Sequence, residues 1–126
     1  IRKVLKDLNL HRGQPRLLHI LWKQDGKTQK ELCEKMHTKP ATVAKMVRRM
    51  EKSGFVEKRK DPEDKRLSRV YLTDRGQQVK TEVDKMENEI ENKILQGFNR
   101  EEKLLLRRFL IQIKDNLKDK NNLPAK

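Results

Sequence analysis

The chain has little of the material from which proteins build large cores or covalent frameworks. Only 33% of its 126 residues are hydrophobic, and it has one Trp, one Tyr and one Cys. A single Cys excludes an intrachain disulfide and fits a reducing compartment, so we expect a cytoplasmic protein. No run approaches the roughly 20 apolar residues of a membrane-spanning helix, so no membrane partner is expected. Such a chain either stays partly disordered or buries apolar surface against a partner subunit.

The sequence also lacks the side-chain groupings on which catalysis or metal binding would rest. It has no carboxylate cluster at metal-ligand spacing, no Ser/His or Cys/His arrangement and no Gly-rich phosphate loop. We therefore predict no enzyme activity, no cofactor and no metal ligand. A zinc or ligand role for His11 and His19 is an alternative, although their spacing fits no motif. Cys33 is predicted to be an inert core residue, with a redox role as the alternative.

What the chain has in abundance is positive charge, with a formal net value of +13. The excess is densest over residues 39–75, which hold 12 basic against 6 acidic residues. Residues 76–126 are nearly balanced, at 11 basic against 9 acidic. A polyanionic partner explains this concentration. The alternative is a lysine-rich surface that serves solubility alone.

The basic segment contains the pattern of a helix followed by a hairpin. Residues 39–50 have the spacing of an amphipathic helix with Pro40 at its first position. Two β-prone runs follow, 55–59 and 67–72, on either side of a charged tip that is too polar to bury. A basic helix joined by one Gly turn to a basic hairpin is the layout of a winged helix-turn-helix, which indicates double-stranded DNA as the partner.

Apolar spacing and capping sequences predict the remaining helices. Residues 28–31 (Thr-Gln-Lys-Glu) and 99–102 (Asn-Arg-Glu-Glu) each have the sequence of a capping box at a helix start. One long helix is expected from Thr73 to near Gly97. The predicted order is four helices, a hairpin and two helices. The fold class is therefore mainly α with a small β-hairpin wing (α+β).

The helix that begins at Pro40 has the composition of a recognition helix. Its apolar residues face inward, which turns slim and basic side chains toward a DNA groove about 12 Å wide. Thr42 and Lys45 can contact bases, and Lys39 with the first amides of the helix suits a phosphate. An ordinary surface helix is the alternative. The predicted DNA contacts of this helix are Lys39, Pro40, Ala41, Thr42, Lys45, Arg48 and Arg49.

The hairpin is predicted to place an arginine in the adjacent minor groove, where the potential is most negative over A·T tracts. Its predicted DNA contacts are Lys65, Arg66 and Arg69. Asp64 is predicted to support the wing, because a carboxylate two residues from Arg66 can hold that guanidinium in a bidentate pair.

The terminal helices carry apolar stripes that lie outside the DNA-reading segment in sequence. An uncovered stripe of this kind forms a contiguous apolar surface, which soluble monomers avoid. We therefore predict a homodimer through a two-fold interface. The residues predicted at this interface are Val4, Leu5, Leu8, Phe109, Leu110, Ile113 and Leu117.

Residues 40–51, PATVAKMVRRME, resemble the recognition helix of the MarR (multiple antibiotic resistance regulator) family. Asp64-Lys65-Arg66, then Leu72-Thr73 and Gly76, is similar to that family's wing signature of Asp-x-Arg and Leu-Thr-x-x-Gly. The resemblance implies a single domain over residues 1–126. Within it, it implies dimerisation helices at 1–12 and 98–126, a winged helix-turn-helix at 14–76 and a connecting helix at 73–97.

The same resemblance implies a dimeric transcription regulator, often released from DNA by a small-molecule effector or an oxidant. We expect a sequence-specific regulator, with repression as its mode, that binds a pseudo-palindromic operator. Ala41 stands where the family commonly has Ser, so the base preference of relatives does not transfer to this chain. The alternative function is that of a non-specific architectural or chromatin protein with the same fold and charge.

Overall fold

The computed structural model of the protein describes Leu10 and residues 13–118. The chain divides into two compact units after Asn88. The predicted first helix, with its interface residues Val4, Leu5 and Leu8, lies outside the described residues, as does His11. The elements of the described part, in chain order, are α1 (Gln14–Lys23), β1 (Lys27–Thr28), α2 (Gln29–Met36), α3 (Pro40–Lys52), β2 (Val56–Lys60), β3 (Ser68–Leu72), α4 (Asp74–Gln78), α5 (Lys80–Ile94) and α6 (Arg100–Lys118).

Both predicted capping boxes are confirmed. At the start of α2, the Thr28 hydroxyl accepts from the Glu31 amide and the Glu31 carboxylate accepts from the Thr28 amide, each at 3.1 Å. Asn99 and Glu102 make the same reciprocal pair at 2.8 and 2.9 Å before α6. These side chains take up amide groups that a helix start otherwise leaves without partners, which is why the helices begin at these residues.

A small antiparallel sheet carries the wing. Its strand order is β1-β3-β2, with Val56 opposite Leu72 and Lys60 opposite Ser68. The predicted hairpin is therefore confirmed, and the fold is mainly helical with a small sheet. Sequence analysis missed β1, whose Lys27 lies opposite Val70, because two residues are too few to show an alternating pattern.

The core of the first unit lies between α1, α2, α3 and the sheet. The predicted inward residues of α3 are Val43, Met46, Val47 and Met50. Three of them are fully buried, and Met46 is half-buried. Cys33 was expected to be buried beside Leu32, but it is only half-buried. Among the described residues, the buried hydrophobic side chains are Leu10, Leu17, Leu18, Leu21, Leu32, Met36, Val43, Val47, Met50, Phe55, Val56, Val70, Leu72, Val79, Val83 and Met86.

The single long helix expected over residues 73–97 is wrong in one respect, because the structure divides it at Val79 into α4 and α5. The Trp22 indole donates to the Gly76 carbonyl at 2.9 Å. In a continuous helix that carbonyl accepts from the amide four residues further on. A contact with α1 therefore lies next to the break, and apolar spacing along residues 73–97 gives no sign of it.

Candidate nucleic-acid interface

The recognition helix predicted from the sequence is α3, and its polar side is exposed. Burial of its apolar residues leaves a row of slim and basic side chains facing outward. Pro40 is at its first turn, and Lys39 precedes it without a side-chain hydrogen bond to the helix start. The exposed residues on this side are Lys39, Pro40, Ala41, Thr42, Lys45, Arg48 and Arg49.

At the wing tip, Asp64 holds the Arg66 guanidinium in the predicted bidentate pair. Nε of Arg66 donates to Oδ1 of Asp64 at 3.0 Å and Nη2 donates to Oδ2 at 3.1 Å. The Arg66 side chain is nevertheless 90% exposed, so the pair orients the guanidinium while leaving it open to a ligand. The hydrogen bond from Arg66 keeps the pKa of Asp64 below its ordinary value, and the arginine stays charged. Lys65 beside it is also exposed.

A second carboxylate, Asp61, organises the turn itself. Its Oδ1 accepts from the amides of Glu63 and Asp64 at 2.8 and 3.3 Å, and its Oδ2 accepts from Nε of Arg69 at 2.7 Å. The hydrogen bond from Arg69 is the largest cause of a lowered pKa at Asp61. Asp61 therefore fixes the backbone from which Asp64 and Arg66 project.

Arg69 has a different setting from the other predicted DNA contacts. Its side chain is half-buried and lies against the start of α2 rather than at the tip. Besides bonding Asp61, its Nη1 donates to the Gly26 carbonyl at 2.9 Å and lies 3.4 Å from Oε1 of Glu31. These contacts join the wing to the capping box of α2. Sequence reasoning missed Gly26, Glu31 and Asp61 as partners, because they lie between 8 and 43 residues from Arg69 and share no local pattern with it.

The Leu-Thr-x-x-Gly sequence joins the base of the wing to the end of α3. The Thr73 hydroxyl donates to the Gly54 carbonyl at 2.5 Å and accepts from the Gly76 amide at 3.1 Å. A Cβ at Gly76 would collide with the carbonyl oxygen of Phe55, so only glycine fits at this crossing. The short α4 therefore holds the hairpin at a set position relative to α3.

The second strand also has paired charges. Arg59 pairs with Glu57 at 2.6 Å and lies over the Tyr71 ring at 4.3 Å, while Lys58 lies 3.6 Å from Glu51 of α3. These contacts hold β2 against both neighbours.

None of the helices in the described part of the chain is long and apolar enough to cross a bilayer.

Three helices that lead into an antiparallel hairpin with an exposed basic tip define a winged helix-turn-helix protein. The MarR family model matches residues 10–68. The solved structure of MarR is 30% identical and superposes with a TM-score of 0.82, covering 91% of this chain and 84% of that one. The chain belongs to the MarR family.

Two further proteins are similar to this chain. The HTH-type transcriptional regulator YwoH of Bacillus subtilis, itself uncharacterized, is 30% identical over 79% of this chain and 72% of its own length. A putative MarR family regulator from Listeria monocytogenes, solved with a 26mer DNA, has a TM-score of 0.80 at 24% identity and covers 97% of this chain and 85% of its own. The latter shows the same fold. Curated relatives are longer than this chain, which spans 43% to 75% of their lengths.

Proposed function

We propose that this protein is a sequence-specific DNA-binding transcription regulator. The observation that carries the proposal is the pairing of two exposed features in one unit: the basic side of α3, and a wing-tip Arg66 that is oriented by Asp64 yet 90% exposed. The alternative, a helix that only faces solvent, does not account for a neighbouring arginine that is oriented by a carboxylate and still exposed to a ligand. Relatives named as transcriptional regulators support the same assignment.

The two features suit different grooves. The slim first turns of α3 enter the major groove, where Thr42 and Lys45 reach base edges and Lys39 meets a phosphate. The wing places Arg66 in the adjacent minor groove, which attracts a guanidinium most strongly where it is narrow. The other contacts proposed for this interface are Pro40, Ala41, Arg48, Arg49 and Lys65. For Arg69, the contacts with Asp61 and Gly26 favour a bracing role, and a DNA contact is the alternative.

We propose that the protein binds DNA as a homodimer. Phe109 and Ile113 of α6 are 52% and 54% exposed, and Leu110 and Leu117 of the same helix are exposed as well. None of the residues of this described helix is buried within the chain. Contact with a second copy removes that apolar surface from water and places two recognition helices on a pseudo-palindromic operator.

We propose repression as the mode of action, because a dimer seated on an operator excludes other proteins from that DNA. Relief by a small-molecule effector rests on the resemblance to the family. We propose a cytoplasmic, nucleoid-associated protein, because its single Cys fits a reducing compartment and its proposed partner is DNA.

Selection of bound DNA from a random pool, followed by footprinting, tests the assignment. A regulator enriches one two-fold sequence and protects a short site, with half-sites about 10–10.5 bp apart. The log-log salt slope of binding is expected to be at least about −4, since each phosphate contact adds about −0.9. Uniform coating of every probe supports the architectural alternative. A flat salt response contradicts DNA binding altogether.

A further inference from the structure

A cluster of three potential metal ligands lies between α1 and α5, and DNA binding does not account for it. His19 of α1 meets Asp84 and Glu87 of α5, with their ligand atoms all within 4.8 Å of one another. The two acidic residues are three positions apart, so they share one face of α5. All three are half-buried. Partial burial limits competition by water while leaving room for water in the remaining coordination positions.

The surrounding contacts orient the cluster. Nε2 of His19 lies 2.6 Å from Oε1 of Glu87, so the ring nitrogen already points at the carboxylate. The imidazole packs edge-on against Trp22, with 4.9 Å between ring centroids and an interplanar angle of 89°. Trp22 is anchored in turn by its hydrogen bond to Gly76. The ligand that metals most often use is therefore held in place before any ion arrives.

One carboxylate of the cluster, that of Asp84, already holds a cation. The Lys80 ammonium lies 2.6 Å from Oδ2 of Asp84 and 5.7 Å from the centroid of the Trp22 ring. An incoming ion takes the place of this ammonium on Asp84 and of the hydrogen that His19 and Glu87 share. Lys80 is half exposed and remains free to move to solvent or to the Trp22 face.

We propose that His19, Asp84 and Glu87 form a binding site for a divalent transition-metal ion of the Zn²⁺ class. One imidazole nitrogen and two carboxylate oxygens suit zinc with water as the fourth ligand. The imidazole disfavours Mg²⁺ and Ca²⁺, which prefer oxygen alone. The site joins α1 to α5, whose residues His19 and Glu87 are 68 positions apart in the sequence. Binding therefore stabilises the packing of these two helices.

The chain carries its own reporter for this site. Trp22 is the only tryptophan among the 126 residues, and it touches His19. Titration of the full chain with Zn²⁺ by calorimetry, without DNA, is expected to give one ion per chain. Titration with Ni²⁺, whose unpaired electrons quench nearby indoles, is expected to quench Trp22 emission with the same stoichiometry.

Variants separate this site from adventitious binding. His19→Ala and Glu87→Gln are each expected to lower Zn²⁺ affinity at least about tenfold, while Lys80→Gln raises it by removing the competing cation. His37→Asn is the control, because His37 is another histidine that lines a pocket together with acidic residues, Glu31 and Glu34. Asn tolerates the left-handed backbone conformation of this position. Asp84→Asn replaces either ligand variant if circular dichroism shows that one to be unfolded.

Absence of Zn²⁺ binding overturns the proposal, as does wild-type affinity in folded His19→Ala and Glu87→Gln. Equal displacement of Zn²⁺ by Mg²⁺ at matched concentration overturns the assignment to the transition-metal class. The outcome is independent of operator binding, since no DNA is present in the titrations.

Discussion

Nε of Arg69 donates to Oδ2 of Asp61 at 2.7 Å, and this one hydrogen bond ties the wing tip to the body of the reading unit. Asp61 orders the turn through two backbone amides, while the other end of the Arg69 guanidinium reaches Gly26 and Glu31. Two arginines of the hairpin, Arg66 and Arg69, therefore have different tasks. Arg69 braces the hairpin from within, and Arg66 projects from the part that is braced.

The first prediction separates bracing from DNA contact at Arg69. We expect Arg69→Ala to weaken operator binding without changing the slope of log affinity against log salt concentration. The reason is that the variant loses the ordered tip that positions Arg66, and no contact between Arg69 itself and a phosphate. Arg69→Lys is expected to restore little, since one ammonium cannot reach Asp61 and Gly26 together. A slope reduced by about 1 in the alanine variant, measured by fluorescence anisotropy at several salt concentrations, shows instead that Arg69 contacts a phosphate.

The second prediction concerns the pair at the tip. We expect Arg66→Ala to weaken operator binding roughly 5- to 150-fold with little change in melting temperature. The Arg66 side chain is exposed, so it contributes mainly to DNA binding and little to the stability of the fold. Asp64→Ala is expected to lose less, and the double variant little more than Arg66→Ala alone. Arg107→Ala, an exposed arginine of α6, is the control. Additive losses in the double-mutant cycle demonstrate that the two side chains act independently.

The third prediction is a loss of stability in acid. Hydrogen bonds from Arg69, the Thr28 amide and Arg66 lower the pKa values of Asp61, Glu31 and Asp64 respectively. A carboxyl group whose pKa is lower in the folded state than in the unfolded state stabilises the protein at pH values above its unfolded-state pKa. That contribution is lost as the pH falls through the folded-state pKa.

The ordinary values here are 3.8 for Asp and 4.5 for Glu, so the free energy of unfolding is expected to be level above about pH 5 and to fall below about pH 4. Urea unfolding across this range, with Asp61→Asn for comparison, measures it. The variant is expected to show a shallower decline, and an identical decline rules out Asp61 as a contributor.

The fourth prediction tests the crossing at Gly76. We expect Gly76→Ala to destabilise the fold by about 1–3 kcal/mol or more, because the added methyl group meets the Phe55 backbone, which cannot move aside as a side chain does. Gln78→Ala, at an exposed position of the same short helix, is expected to change stability by less than about 0.5 kcal/mol. Thermal and urea denaturation compare the two, and equal stability of both variants contradicts the close approach.

The fifth prediction tests the dimer. Phe109→Asp with Ile113→Asp is expected to give monomers or unfolded chains and to abolish operator binding, because carboxylates would replace the apolar surface at the proposed interface. Gln112→Asp with Asn116→Asp adds the same charge at polar positions of α6 and is expected to leave the dimer intact. Analytical ultracentrifugation and a binding assay on the same samples decide the matter. A folded monomer that binds the full operator with wild-type affinity refutes the arrangement.

Local features of this protein follow from the sequence alone. The two capping boxes, the start of α3 at Pro40 and the Asp64–Arg66 pair each involve residues no more than three positions apart. Contacts between residues so close in the sequence depend on little besides the local backbone conformation. Residue type and spacing therefore suffice to predict them. The uneven distribution of charge along the chain likewise indicates a polyanionic partner.

Other features were decided by which segments meet in space. The strand β1 exists because β3 passes beside it, and the break at Val79 accompanies a hydrogen bond between Trp22 and Gly76, 54 residues apart. The bracing role of Arg69 and the cluster around His19 depend on contacts of the same kind. Each needs donor and acceptor atoms brought to about 3 Å by the packing of separate helices and strands, and only the tertiary structure determines that packing.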